Sequence, residues 1–191
     1  FGLIICSAIT RSVDDSLNSM FKNIQMIDNI VKEVPIERLK AIIYFSSIDI
    51  YGFVDDLDNI NEETPQRFVG YYGLSKLESE HILRKNFGVI PITILRLPGI
   101  YGYGDNYKST IGKFIKDSLN KGEVTIINDG HELRDYVEIN DLCKIVNYFI
   151  VNPFNGPVVV ASGKSIKVRE IVNIITNLIE NNIAIKSVKT D

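Results

Sequence analysis

The sequence predicts an α/β protein built on a parallel sheet with helices over both faces, and three observations predict it. Short apolar, β-branched runs alternate with longer segments of helical period. The runs are apolar at successive positions, which suits strands buried on both faces. Polar or Gly-rich segments ("CSAIT", "SSIDIYG", "PGIYGYGDN") follow the first three runs, at the carboxyl ends where parallel sheets bind ligands.

In chain order, "GLIIC" (2–6) reads as a strand and 14–33 as a helix. A second strand, "AIIYFS" (41–46), precedes a helix over 72–86, and a third, "ITILRL" (92–97), precedes a helix over 109–120. "VTII" (124–127) is a strand. In the helix over 140–150, Asn140 is the expected N-cap and Asp141 is placed well for the helix dipole. "PVVVA" (157–161) is a strand before a helix over 167–180, where Val168, Ile171, Ile174, Ile175 and Leu178 recur at spacings of three and four. "IAIKSV" (183–188) is a last, weaker strand.

A length of 191 residues fits one domain, or one and a part. With 45% apolar and 24% charged residues the chain reads as globular, and a net charge of -3 without a basic stripe argues against nucleic acid. No apolar run reaches the ~20 residues that span a bilayer, so a soluble, cytoplasmic protein without a membrane partner is expected. Cys6 and Cys143 sit in apolar stretches and are expected to be buried reduced thiols. His81 and His131 are the only histidines, and no Cys or His cluster suggests zinc.

Tyr72 and Lys76 in "YYGLSKLESEH" lie one helical turn apart and share a face. Hydride transfer needs a proton donor for the substrate oxygen. A tyrosine is too weak an acid at neutral pH, and a nearby ammonium is expected to lower its pKa. A second hydroxyl at a strand end would hold the substrate oxygen, and Ser47 just past "IIYF" occupies such an end.

"FSSIDIYG" followed by "YYGLSK" resembles the extended short-chain dehydrogenase/reductase family, in particular its NAD-dependent sugar epimerases and dehydratases. The resemblance continues in family order through "LRLPGIYGYGD", "GHELRDYVEINDL" and "ASGKSIKVREIV". It implies a Rossmann-type doubly wound sheet, NAD as cofactor with NADP open, a nucleotide-sugar substrate, and a homodimer formed through the helices at 14–33 and 72–86. Ser47 matches the substrate-positioning hydroxyl, Tyr72 the catalytic tyrosine, and Lys76 the lysine that also holds the nicotinamide ribose. Cys6, Ser7, Ser46, Leu97 and Pro98 fall where the family lines the cofactor. Arg134 matches an arginine that reaches the nucleotide's phosphate or ribose; the competing expectation is an interdomain ion pair with a neighbouring Asp.

Asp49 stands where family dehydratases often carry a Glu for proton work at the sugar ring; a solvated loop residue or local cap is the competing expectation. Ile48 replaces the acid that precedes it in some members, which puts two-carboxylate dehydratase chemistry in doubt. Gly99 replaces a common Asn that contacts the diphosphate, so a carbonyl reductase of the same family is the alternative. A dinucleotide-sensing protein without turnover is a third reading. "FGLIIC" at the start, with no Gly-rich cofactor turn before it, is expected to correspond to the family's fourth strand, making the chain an internal fragment. Residues 1–98 plus 137–162 are expected to form part of an NAD(P)-binding domain, and 99–136 plus 163–191 part of a substrate domain.

Overall fold

A computed structural model of the chain describes residues 2–52, 60–105, 107, 109–179 and 182–189. The charged segment "DDLDN" lies outside the described residues. The chain divides into two compact units, Phe1–Leu97 with Asp141–Val160, and Pro98–Asn140 with Ala161–Asp191.

The first unit contains a four-stranded parallel sheet. Its strands are β1 (Gly2–Ile5), β2 (Ala41–Ser47), β3 (Ile92–Leu97) and β8 (Gly156–Val159), in the order β1-β2-β3-β8. Alternate residues of the central strands point to opposite faces, yet Ile42, Ile43, Tyr44, Ile94 and Leu95 are all buried. That two-sided burial produces the continuous apolar runs. Helices α1 (Leu17–Glu33) and α2 (Gly70–Phe87) supply Ile27, Leu83 and Phe87 to a core with Ile42, Tyr44, Ile92 and Ile94. Each fully buried aliphatic there contributes ~1.5–3 kcal/mol. At the sheet edge, β1 exposes Ile4.

Helix α1 starts at Leu17 and not at residue 14, because Ser16 and Ser19 form a capping box. Ser16 Oγ accepts from the Ser19 amide at 3.2 Å, and Ser19 Oγ accepts from the Ser16 amide at 3.1 Å. Helix α4 (Ile139–Val151) corrects the expected cap in the same way. Asn140 lies inside it, and the Glu138 carboxylate accepts from the Asn140 amide at 2.7 Å.

In the second unit, β5 (Glu123–Ile127) pairs in parallel with β10 (Ala184–Val188). Val124 and Ile126 pack with Phe114 of α3 (Thr110–Lys121) and with Val168, Ile171, Val172 and Ile175 of α5 (Val168–Leu178). Two small ladders complete the unit. In the first, β4 (Gly99–Tyr101) is parallel to β7 (Tyr136–Glu138); in the second, β6 (Leu133–Arg134) is antiparallel to β9 (Ile166–Lys167). Those strands escape sequence reading because two or three residues cannot display a period.

Cys6 and Cys143 are free but exposed, against expectation. Cys6 lies just past β1, where the chain leaves the sheet. Cys143 follows buried Leu142 on α4, and a 100° step carries it from the covered side. Among the described residues no helix is long and apolar enough to cross a membrane.

Candidate active site

The parallel register brings the carboxyl ends of β1, β2 and β3 to one end of the sheet, where Cys6, Ser47 and Leu97 stand. Ser47 ends β2 and caps the 3-10 helix Ile48–Tyr51, its hydroxyl accepting from the Asp49 amide at 3.1 Å. This short helix closes at Gly52, where φ is +66° and an added Cβ would lie 1.8 Å from the Arg67 carbonyl oxygen. Gly is thus required at the end of "IYG" on both grounds.

Helix α2 carries Tyr72 and Lys76, and its first turn is fixed from outside. Val69 gives no side-chain cap; Asp15, from the loop before α1, accepts instead from the Tyr72 amide at 2.7 Å. Gly73 permits close approach to the 3-10 helix, since a Cβ there would meet the Asp49 carbonyl oxygen at 2.6 Å. An Asp15→Ala variant therefore loses a helix cap, with an expected loss of about 1 kcal/mol and a looser Tyr72. Urea denaturation checks the first effect, and amide exchange at Tyr72 checks the second.

These contacts bring Tyr72, Ser47 and Asp49 together. Ser47 draws the Tyr72 phenol down, but burial, reinforced by the Asp49 carboxylate, pushes it up to about 12. Only Ser47 acts in the lowering direction. The expectation that Lys76 lowers the Tyr72 pKa is thus corrected for this state of the site. Lys76 Nζ donates to the Phe45 carbonyl at 2.7 Å and sits over the face of the Tyr72 ring, 5.8 Å from its centre. It also lies 4.9 Å from the Tyr44 ring centre, in cation–π range.

Lys76 is 3% exposed. Burial lowers its pKa to about 8, opposed by Cys6 and then Glu80. Between about pH 8 and pH 10 the folded chain thus binds fewer protons at Lys76 than the unfolded chain does, so this group makes stability rise with pH. Above about pH 10 the raised Tyr72 acts in the opposite sense. Compared with Lys76→Met, the wild type should gain in urea midpoint as pH rises through that window. A gap independent of pH would refute the assignment.

Asp49 is neither a freely solvated loop residue nor a simple cap. Its side chain is 22% exposed and lies 3.9 Å from Arg11 Nη1. Beside Lys76, the thiol of Cys6 is raised by partial burial and drawn back by the ammonium. Ser7 is exposed in the loop after β1. Ser46 is 3% exposed and gives its hydroxyl to Glu80 Oε1 at 2.5 Å, so only its backbone remains to line a ligand. Leu97 is half-buried at the end of β3.

Pro98, Gly99 and Arg134 belong to the second unit. A Cβ at Gly99 would lie 2.6 Å from the Tyr136 ring, so the missing Asn is matched by a tyrosine that fills its space. Arg134 pairs with Glu132, and Asp135 instead accepts from the Ser162 amide at 2.9 Å and hydroxyl at 2.5 Å. His81 and His131 are exposed. Among the described residues no group of three or more His, Cys, Asp or Glu is placed to hold a metal.

Sequence reading missed Asn23, Glu80 and Arg96. Asn23 of α1 bonds both backbone groups of Ile9, at 2.7 and 3.0 Å, and its amide also donates to Ser75 Oγ at 3.2 Å, tying the loop after β1 to α2. Arg96 stood in plain view as a lone charge inside an apolar run, which is a signal of a buried partner.

A sequence model of the NAD dependent epimerase/dehydratase family matches residues 3–173. An uncharacterised UDP-glucose epimerase of Bacillus subtilis is 28% identical over 69% of this chain and 42% of its own length. Among solved structures, a dTDP-glucose 4,6-dehydratase of Streptomyces venezuelae with NAD bound superposes with a TM-score of 0.86 at 18% identity, covering 100% of this chain and 61% of that one. The protein RMD of Pseudomonas aeruginosa, complexed with NADPH, gives 0.84 at 18% identity, covering 98% and 69%. The chain spans about half the length of the curated relatives it matches.

Proposed function

Because the chain belongs to the NAD dependent epimerase/dehydratase family, we propose that the protein is an epimerase or dehydratase of a nucleotide-activated sugar that works by hydride transfer with NAD or NADP. The observation that carries this reading is the convergence of Tyr72, Ser47 and buried Lys76 at the carboxyl end of a parallel sheet, with the Lys76 ammonium over the Tyr72 ring.

The donor set fits a dinucleotide. An ammonium has three N–H donors; the Phe45 carbonyl takes one from Lys76, which leaves donors for the hydroxyls of a ribose. The backbone at Cys6, Ser7, Ser46 and Leu97, all in the first unit, would line the same ligand. When bound, the nicotinamide supplies the hydride acceptor and donor. Tyr72 Oη moves the proton to and from the sugar oxygen, and Ser47 Oγ donates to that oxygen as its charge changes. Asp49 would be the carboxylate for a ring proton, and Arg134 of the second unit is a guanidinium that suits a nucleotide's phosphate or ribose.

Incubating the protein with NAD or NADP and UDP-, GDP- or dTDP-hexoses, with products read by NMR, tests the proposal. Turnover of one of them is expected. One observation favours a second reading: the Tyr136 ring occupies the space a Cβ at Gly99 would need, so no Asn fits there to meet a diphosphate. If none of those sugars binds or reacts while a simple carbonyl compound is reduced, the carbonyl reductase replaces the sugar enzyme.

The exposed apolar residues Leu17 and Phe21 on α1 and Tyr71 on α2 favour a homodimer through these helices. Light scattering on the purified protein checks it: a monomer at micromolar concentration would remove it. The free thiols suit a reducing compartment, and the cytoplasm is the proposed location. Fluorescence microscopy of a tagged protein would overturn that by showing another compartment.

A further inference from the structure

A buried ionic network lies under the site and touches none of the proposed reacting atoms. Glu80 and Arg96 are 3% and 2% exposed. Their pairing is a fork: Arg96 Nε donates to Glu80 Oε1 at 3.2 Å and Nη2 to Oε2 at 2.8 Å. Ser46 Oγ donates to Glu80 Oε1 at 2.5 Å, and Arg96 Nη1 to the fully buried Tyr51 hydroxyl at 2.7 Å. The guanidinium carbon also lies 5.3 Å from the Tyr51 ring centre.

The folding pattern explains how four elements meet there. Ser46 and Arg96 are register partners on β2 and β3, so their side chains emerge on one face of the sheet. Tyr72, Lys76 and Glu80 recur at every fourth position of α2 and form one stripe. Ser46 adjoins Ser47, and Tyr51 ends the 3-10 helix that carries Asp49. The network thus ties the helix bearing Tyr72 and Lys76 to the strand and turn bearing Ser47 and Asp49. A buried ion pair is a poor source of stability, because apolar side chains of like volume often do as well. What it supplies here is a directional lock about 12 Å along α2 from Tyr72.

We propose that Glu80, through its fork to Arg96 and its bond to Ser46, is a positioning residue that fixes the rotation and height of α2 so that Tyr72 meets Ser47 and Lys76 meets the Phe45 carbonyl. The proposal rests on the reading of Tyr72, Ser47 and Lys76 as the reacting set. Asp15 and Gly73 hold the first turn of α2, and Glu80 holds it two turns on.

The test replaces both charges at once, with Glu80→Leu and Arg96→Met together, so that no buried charge is left unpaired. Displacements near 1 Å reduce rates by ~10²-fold. The double variant is therefore expected to fold and to lose roughly 10- to 100-fold in kcat, with KM little changed and the pH profile of kcat displaced. Glu80→Gln, which keeps an acceptor for Ser46, should fall between it and the wild type. A folded double variant with wild-type kcat and pH profile overturns the proposal.

A second readout needs no turnover. Tyrosine labelled with carbon-13 at Cζ reports the titration of Tyr72, which faces Ser47 from β2, Asp49 from the 3-10 helix, Tyr44 from β2 and Lys76 from its own helix. In the double variant the Tyr72 signal should shift and titrate at lower pH, because the loss of burial, the largest raising cause, outweighs the loss of Ser47, which acts in the opposite direction. An unchanged signal overturns the proposal even if no nucleotide sugar is ever turned over. Absent turnover with a shifted signal instead removes the sugar reaction and leaves the positioning role standing.

Discussion

Tyr72→Phe is expected to reduce kcat by about 10²- to 10⁴-fold, the usual contribution of a positioned proton donor, while leaving the fold in place. The substitution removes one oxygen from a half-buried ring, and with it whatever polar contact that oxygen makes with Ser47. A single hydrogen bond contributes ~1 kcal/mol to stability, so the variant should melt close to the wild type. The direction of the Tyr72 shift sharpens the expectation. Burial and Asp49 keep the phenol protonated at neutral pH, which suits the delivery of a proton to a keto oxygen. Taking a proton from a hydroxyl instead needs the phenolate, so the oxidative half-reaction should respond more steeply to pH. Single-turnover measurements in each direction check this. Wild-type turnover by Tyr72→Phe would remove the tyrosine from the chemistry.

Much of this site was legible because the motif residues sit at ends of elements that the sequence marks clearly. "IIYFSS" declares a buried strand that stops at Ser47, and the four-residue step from Tyr72 to Lys76 needs only a helix to become a shared face. What Lys76 does there was not legible. Its direction depends on the Phe45 carbonyl and the Tyr44 ring, which a local pattern cannot place beside it. The same limit hid Asp15, which caps a helix 57 positions on, and Asn23, whose partners lie in another loop and another helix. Arg96 was visible as an oddity, but its meaning needed the register of β2 against β3. Cys143 failed for a different reason, since apolar neighbours on a helix do not share its face.

The largest change in stability is expected from breaking one side of the Glu80–Arg96 pair. Arg96→Met leaves the Glu80 carboxylate buried with only Ser46 to bond it, and also strips the Tyr51 hydroxyl of its donor. Removing one partner of such a pair typically costs 3–5 kcal/mol, because the remaining charge has lost its compensation and cannot reach water. At roughly 2–4 °C per kcal/mol for a chain of this size, the melting point should fall by about 6 °C or more. Glu80→Leu should do comparable harm by stranding the guanidinium, which is 2% exposed. The double change should lose less than either single change, because it removes the uncompensated charge together with its partner. Urea denaturation of the four proteins at one pH measures the coupling directly. Losses that simply add would mean that water reaches the pair, and α2 would then have to be held over the sheet by its apolar contacts alone.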